Sequence, residues 1–236
     1  MPRQDAVGPP FPGGEAVAFQ HYFSERPRAV HRRRTLRFLY RGRILTCVTD
    51  SGVFGSAGLD PGTALLIENM TLGKRDRVLD LGCGWGPIGL AAALGAPEGS
   101  VVMVDPNHRA VSLSRENLKM NGVRNAEVRQ GSLYVPVGED RFDLIASNPP
   151  YHAGRALVEE ALAGAPTHLS EGGRLLIVGK GNQGIRYYQR WLEGLFARIE
   201  VLSRGGGYRV LEARDPRTDG SLGLRATGQD RDRAKS

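Results

Sequence analysis

A glycine-rich segment that begins with a carboxylate is the first feature of the sequence that could hold a ligand. The segment Asp80–Gly86 reads DLGCGWG, and its alternating glycines let the backbone turn sharply and lie against a bound molecule. A second carboxylate, Asp105, follows 25 residues after Asp80. A carboxylate at that distance can accept hydrogen bonds from both hydroxyls of a ribose. The pattern therefore predicts a ligand that contains a nucleoside.

Two kinds of nucleoside ligand fit this segment. Its second half also reads Gly84-x-Gly86-x-x-Gly89, which is the dinucleotide-binding fingerprint. Asp80 separates the two interpretations, because a carboxylate beside the loop would repel a pyrophosphate. S-adenosylmethionine has no phosphate, and its sulfonium and ammonium groups favour nearby carboxylates. We therefore expect S-adenosylmethionine, with a dinucleotide or a turn that binds nothing as the alternatives.

A proline corner is the second feature with chemical potential. The predicted strand 142–147 leads into Asn148-Pro149-Pro150-Tyr151, and consecutive prolines make a stiff bend without N–H donors. The Asn148 side-chain oxygen and the Pro149 carbonyl are two acceptors that match the two donors of a planar amino group. Tyr151 offers a flat face to a flat substrate. The corner predicts methyl transfer to an amino nitrogen, and a simple strand-terminating turn is the alternative.

Alternating strands and helices must position these motifs. Buried strands are predicted over residues 77–81, 101–104, 126–130, 142–147 and 174–178, and helices over 61–70, 87–94, 107–120, 157–165 and 185–195. This alternation predicts a parallel sheet with helices on both faces. Ligands of such sheets bind at the carboxyl ends of the strands, where both motifs fall.

Two antiparallel pairs are predicted outside this alternation. Thr35–Tyr40 and Ile44–Thr49 flank Arg41-Gly42, which is typical of a hairpin. Near the other end, Ile199–Leu202 and Tyr208–Ala213 are separated by three glycines and no helix. The last strand should therefore run antiparallel to its neighbours.

The charge of the chain is concentrated near its beginning. The 236 residues include 32 basic and 25 acidic side chains, a net charge of +7. Between His21 and Asp50 eight arginines face two carboxylates, which is +6 of that surplus. Arginine forks match phosphates and stack on bases, so this stretch predicts a surface for nucleic acid. A solvated basic face is the alternative.

Composition also sets the domain organisation. We expect a flexible arm over residues 1–20, one folded domain over 21–213 that includes the basic hairpin region of about 21–50, and a disordered polar tail over 214–236. Two cysteines suggest a reducing compartment, and the sequence shows neither an apolar span nor a secretory signal. We expect a cytoplasmic protein without a membrane segment.

Residues 21–213 resemble the class I S-adenosylmethionine-dependent methyltransferases, and within them the "small" methyltransferase-domain family. The resemblance rests on His21–Ser24, Ser51–Phe54, Asp80–Gly86, Asn148–Gly154 and Gly206–Leu211. It implies an α/β, Rossmann-like fold whose seven-stranded, mostly parallel sheet has the order 3-2-1-4-5-7-6 with the last strand antiparallel. The family includes ribosomal RNA guanine-N2 methyltransferases and shorter single-domain relatives.

The motifs and the resemblance together give a set of site residues. The catalytic corner is predicted at Asn148, Pro149, Pro150 and Tyr151, and the cofactor site at Asp80, Gly82, Cys83, Gly84, Gly86, Asp105, Pro106, Ser132, Leu133 and Asn148. Substrate contacts are predicted at Phe54, His152, Arg32, Arg33, Arg34 and Arg209, and no metal site is expected. Many relatives have Asp in place of Ser132 to bind the adenine amino group, and serine is a weaker acceptor there.

The resemblance implies methyl transfer to an exocyclic amino group in RNA, with guanine N2 of ribosomal RNA, free or in a small-subunit particle, as the predicted target. Such a base would have to be unstacked or flipped into the pocket. Adenine N6 and a protein glutamine are the alternatives, because the same corner serves all three acceptors. A non-catalytic RNA-binding factor that retains the fold is a further alternative. Bacterial ribosomal members usually have an extra amino-terminal copy of the domain, and we expect no such copy here.

Overall fold

The computed structural model describes residues 30–217 and builds them around a seven-stranded sheet. A separate two-stranded hairpin precedes the sheet. The hairpin consists of β1 (Arg34–Tyr40) and β2 (Arg43–Thr49), and the sheet of β3 (Arg77–Leu81), β4 (Ser100–Asp105), β5 (Ala126–Gln130), β6 (Phe142–Ser147), β7 (Leu169–Lys180), β8 (Phe196–Gly205) and β9 (Tyr208–Pro216).

The order of the large sheet is β5-β4-β3-β6-β7-β9-β8. Counted from β3, this is 3-2-1-4-5-7-6. Strands β3 to β7 pair in parallel, and β9 runs antiparallel to both β7 and β8. The predicted α/β fold, strand order and antiparallel last strand are therefore confirmed. The chain reverses its winding direction between β3 and β6, so the carboxyl ends of these strands open a crevice.

Helices cover both faces of the sheet. They are α1 (Pro61–Asn69), α2 (Pro87–Gly95), α3 (His108–Met120), α4 (Arg155–Ala163), α5 (Ala165–His168) and α6 (Ile185–Leu192). Alternate strand residues face two separate apolar cores. Val78 and Met103 pack with α1, α2, α3 and the hairpin, whereas Leu79 and Ile177 pack with α4, α5 and α6. Near-continuous apolar strands are what a sheet buried on both faces requires.

The hairpin is attached to α3 by two asparagine side chains. The Asn117 amide accepts from Val48 N at 2.7 Å and donates to Val48 O at 2.9 Å. Asn121, one turn later, does the same for the backbone of Thr46 at 3.1 and 2.8 Å. The two side-chain amides thus form the hydrogen bonds that a third strand would otherwise form along the edge of β2. Asn117 Nδ2 also donates to Trp85 O at 2.8 Å, so the hairpin and the glycine-rich segment share one anchor.

Several predicted boundaries differ from the structure. Strand β7 begins at Leu169 rather than 174, because a kink at Gly172, with a φ of 71°, lets the chain pair with β6 earlier. Strand β9 continues to Pro216, so the first three residues of the predicted tail, 214–216, belong to the strand. The predicted arm 1–20, the motif His21–Ser24 and the remaining tail 218–236 lie outside the described residues.

Candidate active site

The glycine-rich segment forms an open turn between β3 and α2. Gly82, Gly84 and Gly86 have φ values of 77°, 58° and 92°, which L side chains rarely adopt. The amides of Gly82 and Cys83 both donate to Val104 O at 2.9 Å, which holds the turn against β4. A Cβ placed on Gly82 would meet no atom within 4 Å, so the turn presents bare backbone to open space. This is the cradle that a bound nucleoside ligand needs.

Asp105 lies at the carboxyl end of β4, beside this turn. Its two oxygens accept hydrogen bonds from the amides of Gly84 at 2.9 Å and Asn107 at 2.8 Å. Burial raises the pKa of Asp105 to about 6, and the two amides act against that rise. Each carboxylate oxygen has a further lone pair, so a pair of ribose hydroxyls can still be accepted.

Asp80 is fully buried beneath the turn rather than on its surface. One oxygen accepts from Gly89 N at 2.8 Å, and the other has no hydrogen-bond partner among the described residues. Burial, reinforced by the neighbouring Asp105 charge, raises the pKa of Asp80 to about 7. A buried carboxylate that lacks a full set of partners is stabilised by a nearby cation. Its position suits a cationic ligand above the turn.

The other predicted cofactor contacts lie around the end of β5. Ser132 is exposed, Leu133 has a left-handed φ of 49°, and Pro106 follows Asp105 directly. Gln130 Nε2 donates to Pro106 O at 3.3 Å, and Gly131 N donates to Asp105 O at 3.1 Å. These bonds bring the β4 and β5 ends together. The position of Ser132 leaves its hydroxyl available to a ligand, as the adenine prediction requires.

An open cleft of about 330 Å³ lies in front of the turn. Gly82, Cys83, Gly84, Trp85, Pro87 and Ile88 line one side, and Phe54, Gly55, Asp60, Thr63 and Asn148 line the other. The cleft therefore joins the predicted cofactor loop to the predicted catalytic corner. Phe54, 48% exposed, is a rare large apolar side chain on the surface and is well placed to touch a flat ligand.

The side chain of Asn148 is held in one orientation. Its Nδ2 donates to Asp60 Oδ1 at 3.1 Å and to Thr63 Oγ1 at 2.9 Å, so both amide hydrogens have acceptors. Only the NH₂ side of an amide can face a carboxylate, which fixes the identity of the two ends. The amide oxygen is thus the group that remains for a ligand in the cleft.

Asp60, Thr63 and Tyr208 are site residues that the sequence analysis missed. Asp60 is the N-cap of α1 and accepts a hydrogen bond from Thr63 N at 2.9 Å. Tyr208 at the start of β9 donates its hydroxyl to Asp60 Oδ2 at 3.3 Å. Its ring lies against Gly62, where a Cβ would come within 2.6 Å of ring carbons. The sequence signal was the polar pair Asp60 and Thr63 at a helix start whose other inward residues are apolar.

The rest of the proline corner is tightly packed. Tyr151 donates its hydroxyl to Val178 O at 2.8 Å, and its ring centroid lies 5.5 Å from that of Tyr188. The ring is half-buried against β7 and is not among the residues that line the cleft. Pro149 O accepts from Tyr151 N at 2.8 Å, which leaves one lone pair for a ligand. The stacking role of Tyr151 therefore stays a prediction, and its observed role is to brace the corner.

The remaining predicted substrate contacts fall on two sides of the cleft. His152 is exposed next to the corner, and Arg209 lies in β9. Arg32, Arg33 and Arg34 are exposed at the start of the hairpin on the other side. The Arg33 guanidinium forms an ion pair with Glu116 of α3 at 2.5 Å. The Arg33 side chain therefore helps to hold the hairpin on α3.

Other chemistries find little support in residues 30–217. Burial, with the Asp105 and Asp80 charges beside it, raises the pKa of the Cys83 thiol well above its usual value. Cys83 is therefore a small neutral side chain in the loop and not a nucleophile. Within this range no three His, Cys, Asp or Glu side chains are grouped as a metal site would need. None of its helices has the length and apolar character needed to cross a membrane.

Sequence comparison places the chain among known methyltransferases. The methyltransferase small domain model matches residues 44–212. The uncharacterized protein YbxB of Bacillus subtilis is 36% identical over 83% of this chain and 98% of its own length. The ribosomal RNA small subunit methyltransferase C of Citrobacter koseri is 37% identical over 72% of this chain. This chain spans 50% of that enzyme's length.

A solved structure agrees with this assignment. The Thermus thermophilus 16S rRNA N2 G1207 methyltransferase, in complex with AdoMet and guanosine, superimposes with a TM-score of 0.69 at 28% identity. The match covers 78% of this chain and half of that protein. The open glycine turn, the paired acceptors of Asp105 and the buried Asp80 all fit S-adenosylmethionine, which is the cofactor. The protein belongs to the methyltransferase small domain family of S-adenosylmethionine-dependent methyltransferases.

Proposed function

We propose that this protein methylates the exocyclic N2 amino group of guanine in ribosomal RNA. The observation that carries the proposal is the orientation of Asn148, a cleft-lining residue whose NH₂ group is held by Asp60 and Thr63 so that its amide oxygen is left for a ligand. A similar solved enzyme that binds AdoMet and guanosine supports the choice of guanine. The chain matches only half of that enzyme, so the RNA substrate is part of the proposal.

The chain's own residues would prepare the amino group for reaction. The Asn148 oxygen and the free lone pair of Pro149 O accept its two N–H bonds. Accepting both bonds draws the nitrogen out of conjugation with the ring and exposes its lone pair. S-adenosylmethionine supplies an electrophilic methyl group when it is bound. Asp105 would hold the ribose, Ser132 the adenine, and the Gly82–Gly86 backbone the remainder of the cofactor.

The partner assignment rests on charge. The hairpin presents Arg32, Arg34 and Arg37 as exposed cations, and none of the three has an ion-pair partner among the described residues. Arginines of this kind neutralise phosphates, and their contribution falls as salt rises. A small, uncharged substrate would give such a surface no role. RNA is therefore favoured over a small molecule, with the methyltransferase domain and its hairpin acting together.

Deletion of the gene, followed by mass-spectrometric mapping of the host's ribosomal RNA, tests the proposal. We expect one N2-methylguanosine to disappear, to return with the wild-type gene, and to stay absent with Asn148→Ala. Loss of a methylated adenine or of a methylated protein glutamine would replace the proposed acceptor with one of the alternatives. An unchanged modification map, with normal cofactor binding by the purified protein, would favour the non-catalytic factor.

A further inference from the structure

The turn between β8 and β9 presents two arginines that face each other without a counter-charge. Arg204 and Arg209 are direct cross-strand partners. Side chains at such positions have their Cβ atoms about 5 Å apart, and like charges there destabilise a sheet. Neither arginine has an ion-pair partner in the part of the chain that the structure describes. The pair costs stability in the free protein.

The same two strands contain a second arginine pair that is neutralised. Arg198 and Arg214 are also cross-strand partners, farther from the turn. Arg198 binds Asp215 at 3.0 Å, and Arg214 binds Glu212 at 2.7 Å. In these two strands, one arginine pair is therefore neutralised by carboxylates, and the other pair, called the open pair below, is not. The open pair is the one beside the active site.

Strand register connects the open pair to the catalytic corner. Arg209 lies directly opposite Gly179 of β7, and a Cβ on Gly179 would come within 2.5 Å of the Tyr151 hydroxyl. Arg209 and Arg204 therefore emerge on the same face of the sheet as Tyr151. On the other face, Lys180 Nζ lies 5.3 Å from the ring centroid of Tyr208, which binds Asp60. Cations thus border the corner on both faces.

The turn between β8 and β9 allows a ligand to approach its backbone closely. Gly205, Gly206 and Gly207 are all exposed, and the last two adopt left-handed φ values of 56° and 83°. Gly181 N donates to Gly207 O at 3.0 Å, which fixes the turn against the end of β7. A polyanion could therefore lie against bare backbone between Lys180 and the arginine pair.

We propose that Arg204, Arg209 and Lys180 form a phosphate-binding rim for the RNA nucleotides that flank the target base. The inference rests on the proposed function for its partner, and it adds the surface that holds the strand at the corner. The hairpin lies over α3, which connects β4 to β5, whereas the rim lies at β7, β9 and β8. Four strand spacings separate β4 from β9, or roughly 19 Å. In an RNA strand that crosses the cleft, the nucleotides next to the target base would contact the rim, and more distant nucleotides would contact the hairpin.

The test is the double variant Arg204→Gln, Arg209→Gln, with Arg198→Gln, Arg214→Gln as the matched control. Both remove two positive charges from the same pair of strands. Binding is measured at several salt concentrations with single-stranded RNAs of about twelve nucleotides, with and without one guanine. We expect the rim variant to flatten the log-log salt dependence by about 1.4 units, from about 0.7 per phosphate contact. If the two proteins bind equally at 1 M salt, the rim variant should bind RNA about 25-fold more weakly than the wild type at 0.1 M salt.

Stability gives a second, opposite readout. The rim variant should unfold at a higher denaturant concentration than the wild type, because it removes a like-charge pair. The control variant should unfold at a lower one, because it breaks two ion pairs, and should bind RNA as the wild type does. Equal loss of RNA binding in both variants, or none in the rim variant, would overturn the proposal. So would a larger loss for a polyglutamate peptide than for RNA, since the rim would then serve an acidic protein.

These outcomes are separate from the guanine assignment. Binding to the RNA without guanine depends on the rim and not on the target atom. If the rim variant loses RNA binding as expected but deletion of the gene removes no N2-methylguanosine from the ribosomal RNA, the guanine proposal fails and the rim remains. If it methylates guanine and the rim variant binds and reacts normally, the rim fails and the guanine proposal remains.

Discussion

The two ends of the cleft differ in the charge of the groups that would bind a ligand. The cofactor end consists of Asp80, Asp105 and the turn Gly82–Gly86. One buried carboxylate lies beneath the turn and the other lies beside it. The proposed acceptor end consists of Asn148, Pro149, Asp60, Thr63 and Tyr208. The Asp60 carboxylate there accepts hydrogen bonds from Asn148, Thr63 and Tyr208, and the oxygens proposed to bind the amino group, on Asn148 and Pro149, are neutral. Negative charge suits a cationic cofactor, whereas a neutral oxygen orients an amino group without trapping it as an ammonium.

The ends also differ in how they are held in place. The carboxylates of the cofactor end are held mainly by backbone amides, and Ser114 and Asn117 of α3 bind the backbone of the turn at Gly84 O and Trp85 O. The acceptor end is fixed by side chains from α1, β6 and β9. Substitutions should therefore act on binding at one end and on turnover at the other.

Asn148→Ala should give the largest effect, on turnover. The amide oxygen acts mainly as the amino group reacts, so its loss should lower kcat by about 100-fold or more. Cofactor affinity should stay within a few-fold of the wild type. Single-turnover kinetics and calorimetry measure the two quantities. Near wild-type turnover with normal cofactor binding would show that Asn148 does not hold the acceptor.

Asp105→Ala should act on affinity. Removing a carboxylate that accepts ribose hydroxyls should weaken S-adenosylmethionine binding by about 1–3 kcal/mol, or roughly 5- to 150-fold. Asp105→Asn, which keeps one acceptor for the Gly84 and Asn107 amides, should lose less. Calorimetry measures both. An unchanged affinity in the alanine variant would remove Asp105 from the cofactor site.

Acid should weaken cofactor binding through the two buried carboxyls. With pKa values of about 7 for Asp80 and about 6 for Asp105, Asp80 becomes mostly protonated and Asp105 about half protonated as the pH falls from 8 to 6. A protonated carboxyl does not attract a cation, so affinity should fall about tenfold across that range. Asp80→Asn should bind more weakly at pH 8 and should show a flatter dependence. A wild-type affinity that rises towards pH 6 would contradict this account.

The same groups should make the cofactor-free protein less stable as the pH rises. Their pKa values are raised above those of the unfolded chain, so the folded state binds more protons between about pH 4 and pH 7. The stability contributed by protonation is present below that window and is lost through it. Denaturant unfolding of the wild type and of Asp80→Asn at pH 5 and 7.5 measures the difference. Asp80→Asn should lose less stability than the wild type between pH 5 and pH 7.5.

Thr63→Val should give a smaller effect on turnover. It removes the hydroxyl that accepts from Asn148 Nδ2 but keeps the shape of the side chain and the Asp60 cap of α1. One neutral hydrogen bond is worth about 1 kcal/mol, so kcat should fall about fivefold, and Thr63→Ser should restore it. In the Asn148→Ala background the substitution should have no further effect on turnover. An equal loss in both backgrounds would mean that Thr63 does not act through Asn148.

The hairpin arginines should affect neither end of the cleft. Arg32→Gln, Arg34→Gln, Arg37→Gln spares Arg33, whose ion pair with Glu116 holds the hairpin on α3. Cofactor affinity and the methylation of a short guanine-containing RNA should be unchanged. Binding of long ribosomal RNA should lose about 2 units of salt dependence, from three phosphates. Unchanged binding of long RNA at every salt concentration would make this face an ordinary solvated surface.

The sheet and the residues of the cofactor end could be predicted from the sequence. The alternation of apolar strands and helices predicted a parallel sheet with helices on both faces, and the family resemblance implied the strand order β5-β4-β3-β6-β7-β9-β8. Asp80–Gly86 and Asp105 lie on adjacent parallel strands, so local patterns and one crossover bring them together. Glycines with a left-handed φ leave a direct trace in the sequence, because few other residues can replace them.

The orientation of the acceptor end depends on contacts between segments that are far apart in the sequence. Asp60, Asn148 and Tyr208 are separated by 88 and 60 residues along the chain, and no periodicity relates them. The unpaired charge of Arg204 and Arg209 likewise became visible only through strand register, since the sequence does not state which arginine faces a carboxylate. Hydrogen bonds and ion pairs are short-range, so they are set by the packing that brings distant segments within about 3 Å.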